Sequence, residues 1–156
     1  MAYWLMKSEP LAYSWAQLVE DGSTHWDGVR NYQARNLMRD EMSVGDLVLF
    51  YHSNCKPPHV AGIARICKEA YPDFTAQDAS SKYFDPKSTH DNPRWMMVDI
   101  EVVSELEPVA LPDLRANPSL EDMPLLRRGQ RLSVQPVTER DFEAICLMGG
   151  LSGIPG

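Results

Sequence analysis

Leu47-Val48-Leu49-Phe50-Tyr51-His52-Ser53, followed across a short loop by Val60-Ala61-Gly62-Ile63-Ala64-Arg65-Ile66-Cys67-Lys68-Glu69-Ala70, decides the fold class. In the first run Val48, Phe50 and His52 fall on one face, and Leu47, Leu49, Tyr51 and Ser53 on the other, the period of a strand. The loop between the runs holds Pro57 and Pro58, and Gly62 marks a bend or a close backbone approach. The two runs read as an antiparallel hairpin. Outward from it, Ala2–Met6 reads as a buried first strand stopped by Lys7-Ser8-Glu9-Pro10. Arg94–Ser104 reads as a long strand and Arg131–Val137 as a last one. Ser14 caps a short helix whose inner face is Trp15, Leu18 and Val19. Asn31–Met42 reads as a helix with the apolar stripe Ala34, Leu37, Met38 and Met42, flanked by Asn31, Arg35 and Arg39. Thr138 and Asp141 resemble a capping box, opening a helix that runs to Met148 and stops at Gly149-Gly150. Residues 71–93 form a long irregular loop, and residues 108–126 are short pieces broken by four prolines. Short strands interleaved with short helices give an α+β fold, a small, mostly antiparallel β-barrel decorated by helices. The lack of regular strand–helix alternation argues against a doubly wound nucleotide fold, and no Gly-rich phosphate loop or nucleophile elbow occurs.

The size agrees with one domain over 1–156. A chain of 17.7 kDa keeps roughly 8,000 Å² of a denatured surface of roughly 26,000 Å², enough for one core. No apolar run reaches the length of a membrane span, and Met1–Met6 lacks the basic region and cleavage site of a signal peptide. The expectation is a cytoplasmic protein with no membrane association. Net charge is −7, which excludes the generic nucleic-acid coating done by strongly basic domains, but not a local basic site. Arg30, Arg35 and Arg39 cluster early and Arg127, Arg128 and Arg131 late. Cys55, Cys67 and Cys146 are widely spaced, with no C-x-x-C and no histidine at zinc-finger distance. They read as reduced thiols, two of them core residues, and neither metal nor cofactor is expected.

Four polar clusters close predicted strands or open helices: Lys7-Ser8-Glu9, Trp26-Asp27-Gly28-Val29-Arg30-Asn31-Tyr32, Tyr51-His52-Ser53, and Arg131-Leu132-Ser133-Val134-Gln135. Each mixes hydrogen-bonding groups with an aromatic or a basic one. A pocket for a flat heterocycle needs aromatic faces to stack on and fixed donors and acceptors at its edge. Ordinary capping at strand ends explains each cluster singly, so residue chemistry leaves both readings open. Trp4 and Trp15 lie on apolar faces and read as core. Trp26 fits core or pocket wall, Trp95 fits core better, and His52 fits a structural role as well as a ligand contact. Glu9 fits an ion pair with Lys7 or Arg30.

The strings Tyr3–Pro10, Trp26–Asn36, Phe50–Ser53, Gly62–Ala64, Ala70–Asp73 and Arg131–Val137 together resemble the EVE domain family. The likeness spans about the whole chain and keeps the order and spacing of the motifs. It implies a PUA-like fold, related to the YTH domains that hold a methylated adenine in an aromatic cage. It implies recognition of a modified base, cytosine or adenine, in DNA or RNA, without catalysis. The partner expected is therefore modified nucleic acid or a nucleotide-like ligand; no protein partner can be named. By the same resemblance Ser8 bonds the base edge and Lys7 meets a phosphate or a structural acid, with Glu9 beside them. Trp26 offers a stacking face. Asn31 and Asn36 supply amides, with Tyr32 in the same motif. Tyr51, His52 and Ser53 form a second wall. Arg35 and Arg131 meet phosphate, with Ser133 and Gln135 on the same strand, and Trp95 or Tyr83 completes the cage.

Two other classes compete. ASCH proteins of the same superfamily include hydrolases that remove an acyl group from a modified nucleoside using a lysine, a hydroxyl and an acid. Lys7, Ser8 and Glu9 are the right types, yet neighbours in a strand face opposite sides, which argues against their convergence. A sensor of a small anionic metabolite or nucleotide would also suit the basic clusters.

Overall fold

The computed structural model describes residues 1–155. The elements are β1 (Tyr3–Ser8), α1 (Trp15–Asp21), β2 (Ser23–His25), α2 (Tyr32–Asp40), β3 (Leu47–His52), β4 (His59–Pro72), β5 (Met96–Ala110), α3 (Leu111–Ala116), β6 (Val134–Val137) and α4 (Glu139–Met148). Single 3-10 turns lie at Phe74–Gln77, Pro118–Leu120 and Pro124–Leu126. The strands form one six-stranded sheet in the order β2-β5-β4-β3-β1-β6.

β3 is buried along its whole length, and its alternation builds two cores. Val48 and Phe50 pack with Trp4, Met6, Trp15, Leu18, Trp26 and Met38 on the face carrying α1 and α2. Leu47, Leu49 and Tyr51 pack with Leu5, Leu106, Leu114, Phe142 and Ile145 on the face carrying α3 and α4. A one-residue slip would exchange the two sets, so burial on both sides fixes the register. The β3–β4 hairpin forms as expected, with Leu49 opposite Ile63 and a bulge at Phe50/Tyr51. Gly62 is a close approach: a Cβ there would lie 2.2 Å from the Trp15 indole.

The sheet is mostly antiparallel, as expected, with one parallel pair, β1 on β3, Tyr3 opposite Leu47. A parallel pair needs a long crossover, and residues 9–46 supply it with α1, β2 and α2. Some details differ from expectation. β2 has no expectation to match it: three polar residues give no alternation signal, and only pairing with Glu101, Ile100 and Asp99 of β5 makes them a strand. β5 runs six residues past Ser104, since register shifts against β4 absorb the interruptions in its pattern. Val19 is 51% exposed, leaving Trp15 and Leu18 as the buried residues of α1. Of the cysteines only Cys146 is buried. No helix among the described residues is long and apolar enough to cross a membrane.

Candidate functional site

A cleft of about 610 Å³ opens where the C-terminal end of β1 meets β2 and the loop into α2. Its lining comes from segments far apart in sequence: Lys7, Ser8 and Glu9; Ala12 and Tyr13; Thr24 through Arg30; Lys82 and Tyr83; and Ser133. β1 ends at Ser8 and the chain turns at Glu9, whose carbonyl accepts from the amides of Ala12 and Tyr13. That turn brings Lys7, Ser8 and Glu9 onto one cleft, although strand alternation alone argues against it. No hydrogen bond links the three side chains among the described residues; the Ser8 hydroxyl donates to the Tyr13 carbonyl at 2.7 Å.

Trp26 follows β2 and is 8% exposed. Its indole meets Phe50 edge-on with ring centres 5.5 Å apart, so it belongs to the core and the cleft wall at once. Tyr13 is tied by its hydroxyl to the Asp21 carboxylate at 2.7 Å. Gly28 sits at φ +79°, and a Cβ would lie 2.6 Å from the Tyr83 ring. Glycine is needed there both for the left-handed backbone and for the ring that covers it.

The Tyr83 wall is held by Arg30 and Asp73. Arg30 donates to the Tyr83 carbonyl through Nε at 3.1 Å and Nη2 at 2.7 Å, and to the Asp73 carboxylate at 3.1 Å. Asp73 is fully buried at its side chain and also accepts from the amides of Gly28 at 2.9 Å and Thr75 at 2.8 Å. Burial pushes the Asp73 carboxyl up, but the bonds from Thr75, Gly28 and Arg30 win and hold it below the usual range. The Arg30 guanidinium lies over both the Tyr83 ring, at 5.6 Å, and the Trp95 ring, at 5.4 Å.

The charges left for a ligand are few. Lys7 is half-buried, and burial lowers its pKa. Neither Lys7 nor Lys82 has a carboxylate partner among the described residues; Lys82 lies over the Tyr83 ring at 5.0 Å. The Asp27 carboxyl is pushed up by burial and by Asp73, against the opposing pull of His25 and Arg30; its one ion-pair contact among the described residues is with His25, at 3.5 Å. No group of three or more His, Cys, Asp or Glu among the described residues could hold a metal ion.

Of the residues anticipated from sequence, the cleft brings together Lys7, Ser8, Glu9, Trp26 and Ser133, with Tyr83. The others do not line it. Asn31 caps α2, accepting from the Ala34 amide at 3.0 Å. Tyr32 stacks on Trp95 with centres 4.8 Å apart, and Trp95 donates to the Asp85 carboxylate at 2.7 Å. Arg35 covers Tyr32 at 4.8 Å and bonds Asn36 Oδ1 at 2.8 Å, which keeps both on the surface of α2. Tyr51 points into the opposite core, because β3 is buried on both faces. His52 is buried and accepts the Trp15 amide at 3.2 Å through Nε2, anchoring α1. The Ser53 amide extends the β1–β3 ladder by bonding the Ser8 carbonyl at 3.0 Å. Gln135 is buried and donates to the Leu132 carbonyl at 2.8 Å. Arg131 is exposed on the loop beside Ser133. Residues that the sequence reading gave no site role include Tyr13, Thr24, His25, Asp27, Gly28, Arg30 and Lys82. Asp27 and Arg30 lay inside a quoted cluster, whereas Tyr13, Thr24 and Lys82 carried no local signal.

A mixed six-stranded sheet with helices on both faces makes this an α+β protein of the PUA-like class. The chain belongs to the EVE domain family, whose model matches residues 2–148. Human thymocyte nuclear protein 1 is 41% identical over 164 residues, covering 92% of this chain and 72% of the human protein. The crystal structure of a protein from Pseudomonas syringae superposes with TM-score 0.90 at 48% identity, covering 94% of this chain and 99% of that one. Human THYN1 crystallised in complex with DNA containing 5-methylcytosine gives TM-score 0.89 at 39% identity, over 99% of this chain and 100% of the human one.

Proposed function

We propose that this protein is a non-catalytic reader of a modified base, with modified cytosine in DNA as its ligand, and that the base enters the cleft between β1, β2 and the Tyr83 wall. One observation carries the reading: the cleft joins aromatic walls from Tyr13, Trp26 and Tyr83 to two cations without carboxylate partners, Lys7 and Lys82. In a chain of net charge −7 that is a local site for a planar ring with a phosphate beside it. Its volume of about 610 Å³ suits a nucleotide-sized ligand. Flipping a base out costs a few kcal/mol, and stacking returns about 1–3 kcal/mol per base, so edge contacts must supply the rest. The likeness to the human protein bound to 5-methylcytosine DNA supports the same ligand class here.

Absence of catalysis fits the same geometry. The Ser8 hydroxyl is turned to a backbone carbonyl, and no base lies in hydrogen-bond contact with it to activate a nucleophile. The test is fluorescence anisotropy with labelled single-stranded DNA carrying one central 5-methylcytosine or one central cytosine. The methylated strand should bind more tightly; equal affinity for the two refutes the reading. Trp26→Phe, which keeps a ring in the core, should weaken the methylated complex more than it lowers Tm.

A further inference from the structure

We infer that Asp27 reads the exocyclic amine of the bound base, so that the cleft takes amino-bearing bases and rejects their keto counterparts. The inference rests on the reading above and names the ligand chemistry within it.

Asp27 follows the Trp26 wall and lines the cleft, its side chain 31% exposed. Its neighbours Gly28 and Arg30 are bound to the Asp73 carboxylate, which leaves the Asp27 carboxylate outside that bracket. No side-chain hydrogen bond to Asp27 occurs among the described residues beyond the contact with His25, which is itself 45% exposed at the mouth of the cleft. A partly desolvated carboxylate with free lone pairs is costly unless a donor arrives. Burial and Asp73 disfavour its ionised form, and His25, Arg30 and its own backbone amide offset only part of that.

Glu9 is the other carboxylate of the lining but is exposed, so water serves it; the remaining polar side chains carry donors, Lys7 and Lys82 as ammonium groups and Thr24 and Ser133 as hydroxyls. A ligand that satisfies the set presents a donor to Asp27 and acceptors to the rest. Cytosine offers an amino donor at N4 with acceptors at N3 and O2, and carboxylates accept from that amine in base recognition. Thymine carries the same ring and the same 5-methyl group, but has a carbonyl at C4. It would set oxygen against oxygen at Asp27. A methyl-lined wall alone cannot tell the two apart, so Asp27 supplies the distinction.

The experiment uses the full chain and single-stranded DNA with one central 5-methylcytosine, thymine or unmodified cytosine, read by fluorescence anisotropy. Wild type should favour 5-methylcytosine over thymine by about 5- to 150-fold, the range of a good base-edge contact. Asp27→Asn, whose amide can donate to a carbonyl, should reduce that ratio to near one or invert it; Asp27→Ala should reduce it without inversion. Melting curves show whether each variant is folded. A folded Asp27→Asn or Asp27→Ala that keeps the wild-type ratio overturns the assignment while leaving the reader function standing. Wild type binding thymine as tightly as 5-methylcytosine overturns it without any variant. Equal wild-type binding of 5-methylcytosine and cytosine instead defeats the modified-base reading itself.

Discussion

Replacing Asp73 by alanine tests how the cleft is held open. The carboxylate is fully buried and accepts from Arg30 Nη1, the Gly28 amide, and the amide and hydroxyl of Thr75. It caps the 3-10 turn Phe74–Gln77, and loss of such a cap costs about 1 kcal/mol. The charge-assisted bond to Arg30 is worth about 1.5–3 kcal/mol and the neutral bond to Gly28 about 1 kcal/mol. One carboxylate serves all of them, so the contributions do not add fully, and Arg30 keeps its bonds to the Tyr83 carbonyl. We expect a loss of about 3 kcal/mol, discounted because the Arg30 side chain is 24% exposed. At about 2–4 °C per kcal/mol for a chain of this size, Tm should fall by roughly 6–12 °C. Urea titration should show a lower midpoint at unchanged m-value. Binding of methylated strand should fall as well, since Gly28 and the Tyr83 wall lose their common anchor. A Tm within 2 °C of wild type, on the order of a surface substitution, would refute the bracket as the element that sets the cleft.

The pH dependence has a defined sign. The same bonds hold the Asp73 carboxyl below its usual range, so its stabilisation is complete above about pH 4 and is lost as pH falls through the native value. Asp73→Asn should flatten the acid limb of a stability–pH curve. Burial, aided by His59, lowers the His52 pKa; the unfolded chain then takes up its proton first, and stability falls as pH drops below about 6.5. His52→Gln should remove that component, seen as melts at pH 5 and 7 that differ less than those of wild type. Gly28→Ala combines a left-handed backbone cost of about 1–2 kcal/mol with displacement of the Tyr83 ring, so it should weaken binding and lower Tm together. Lys7→Met should act oppositely on the two readouts: Tm is held or raised by removing a half-buried ammonium, while the salt dependence of strand binding loses about 0.7 in slope.

The β3–β4 hairpin was legible as two apolar runs of strand length around a proline loop, and α2 and α4 because apolar residues recur along them at helical spacing. Trp4, Phe50 and Phe142 fell on their faces for that reason. β2 was not legible, because Ser23, Thr24 and His25 acquire strand geometry only from β5. The parallel placement of β1 on β3 is likewise set by the crossover and not by either strand. At the cleft, Lys7, Ser8 and Ser133 were legible as polar residues in clusters on predicted strands, and Trp26 as the start of the cluster that leads into α2. Tyr51 and His52 stand outside the cleft lining for one geometric reason: in a strand covered on both faces, a polar terminus still points into packed core. Tyr13 and Thr24 join the site through tertiary folding of segments with no distinctive pattern.

The aromatic and cationic groups behind the cleft form a continuous column, Tyr83, Arg30, Trp95, Tyr32 and Arg35. It spans from the irregular segment before β5 to the surface of α2. Such a column ties the Tyr83 wall to α2 before any guest arrives. On the proposed reading, docking then spends little on ordering protein, and the tempo of capture is governed by how readily the strand itself releases a base.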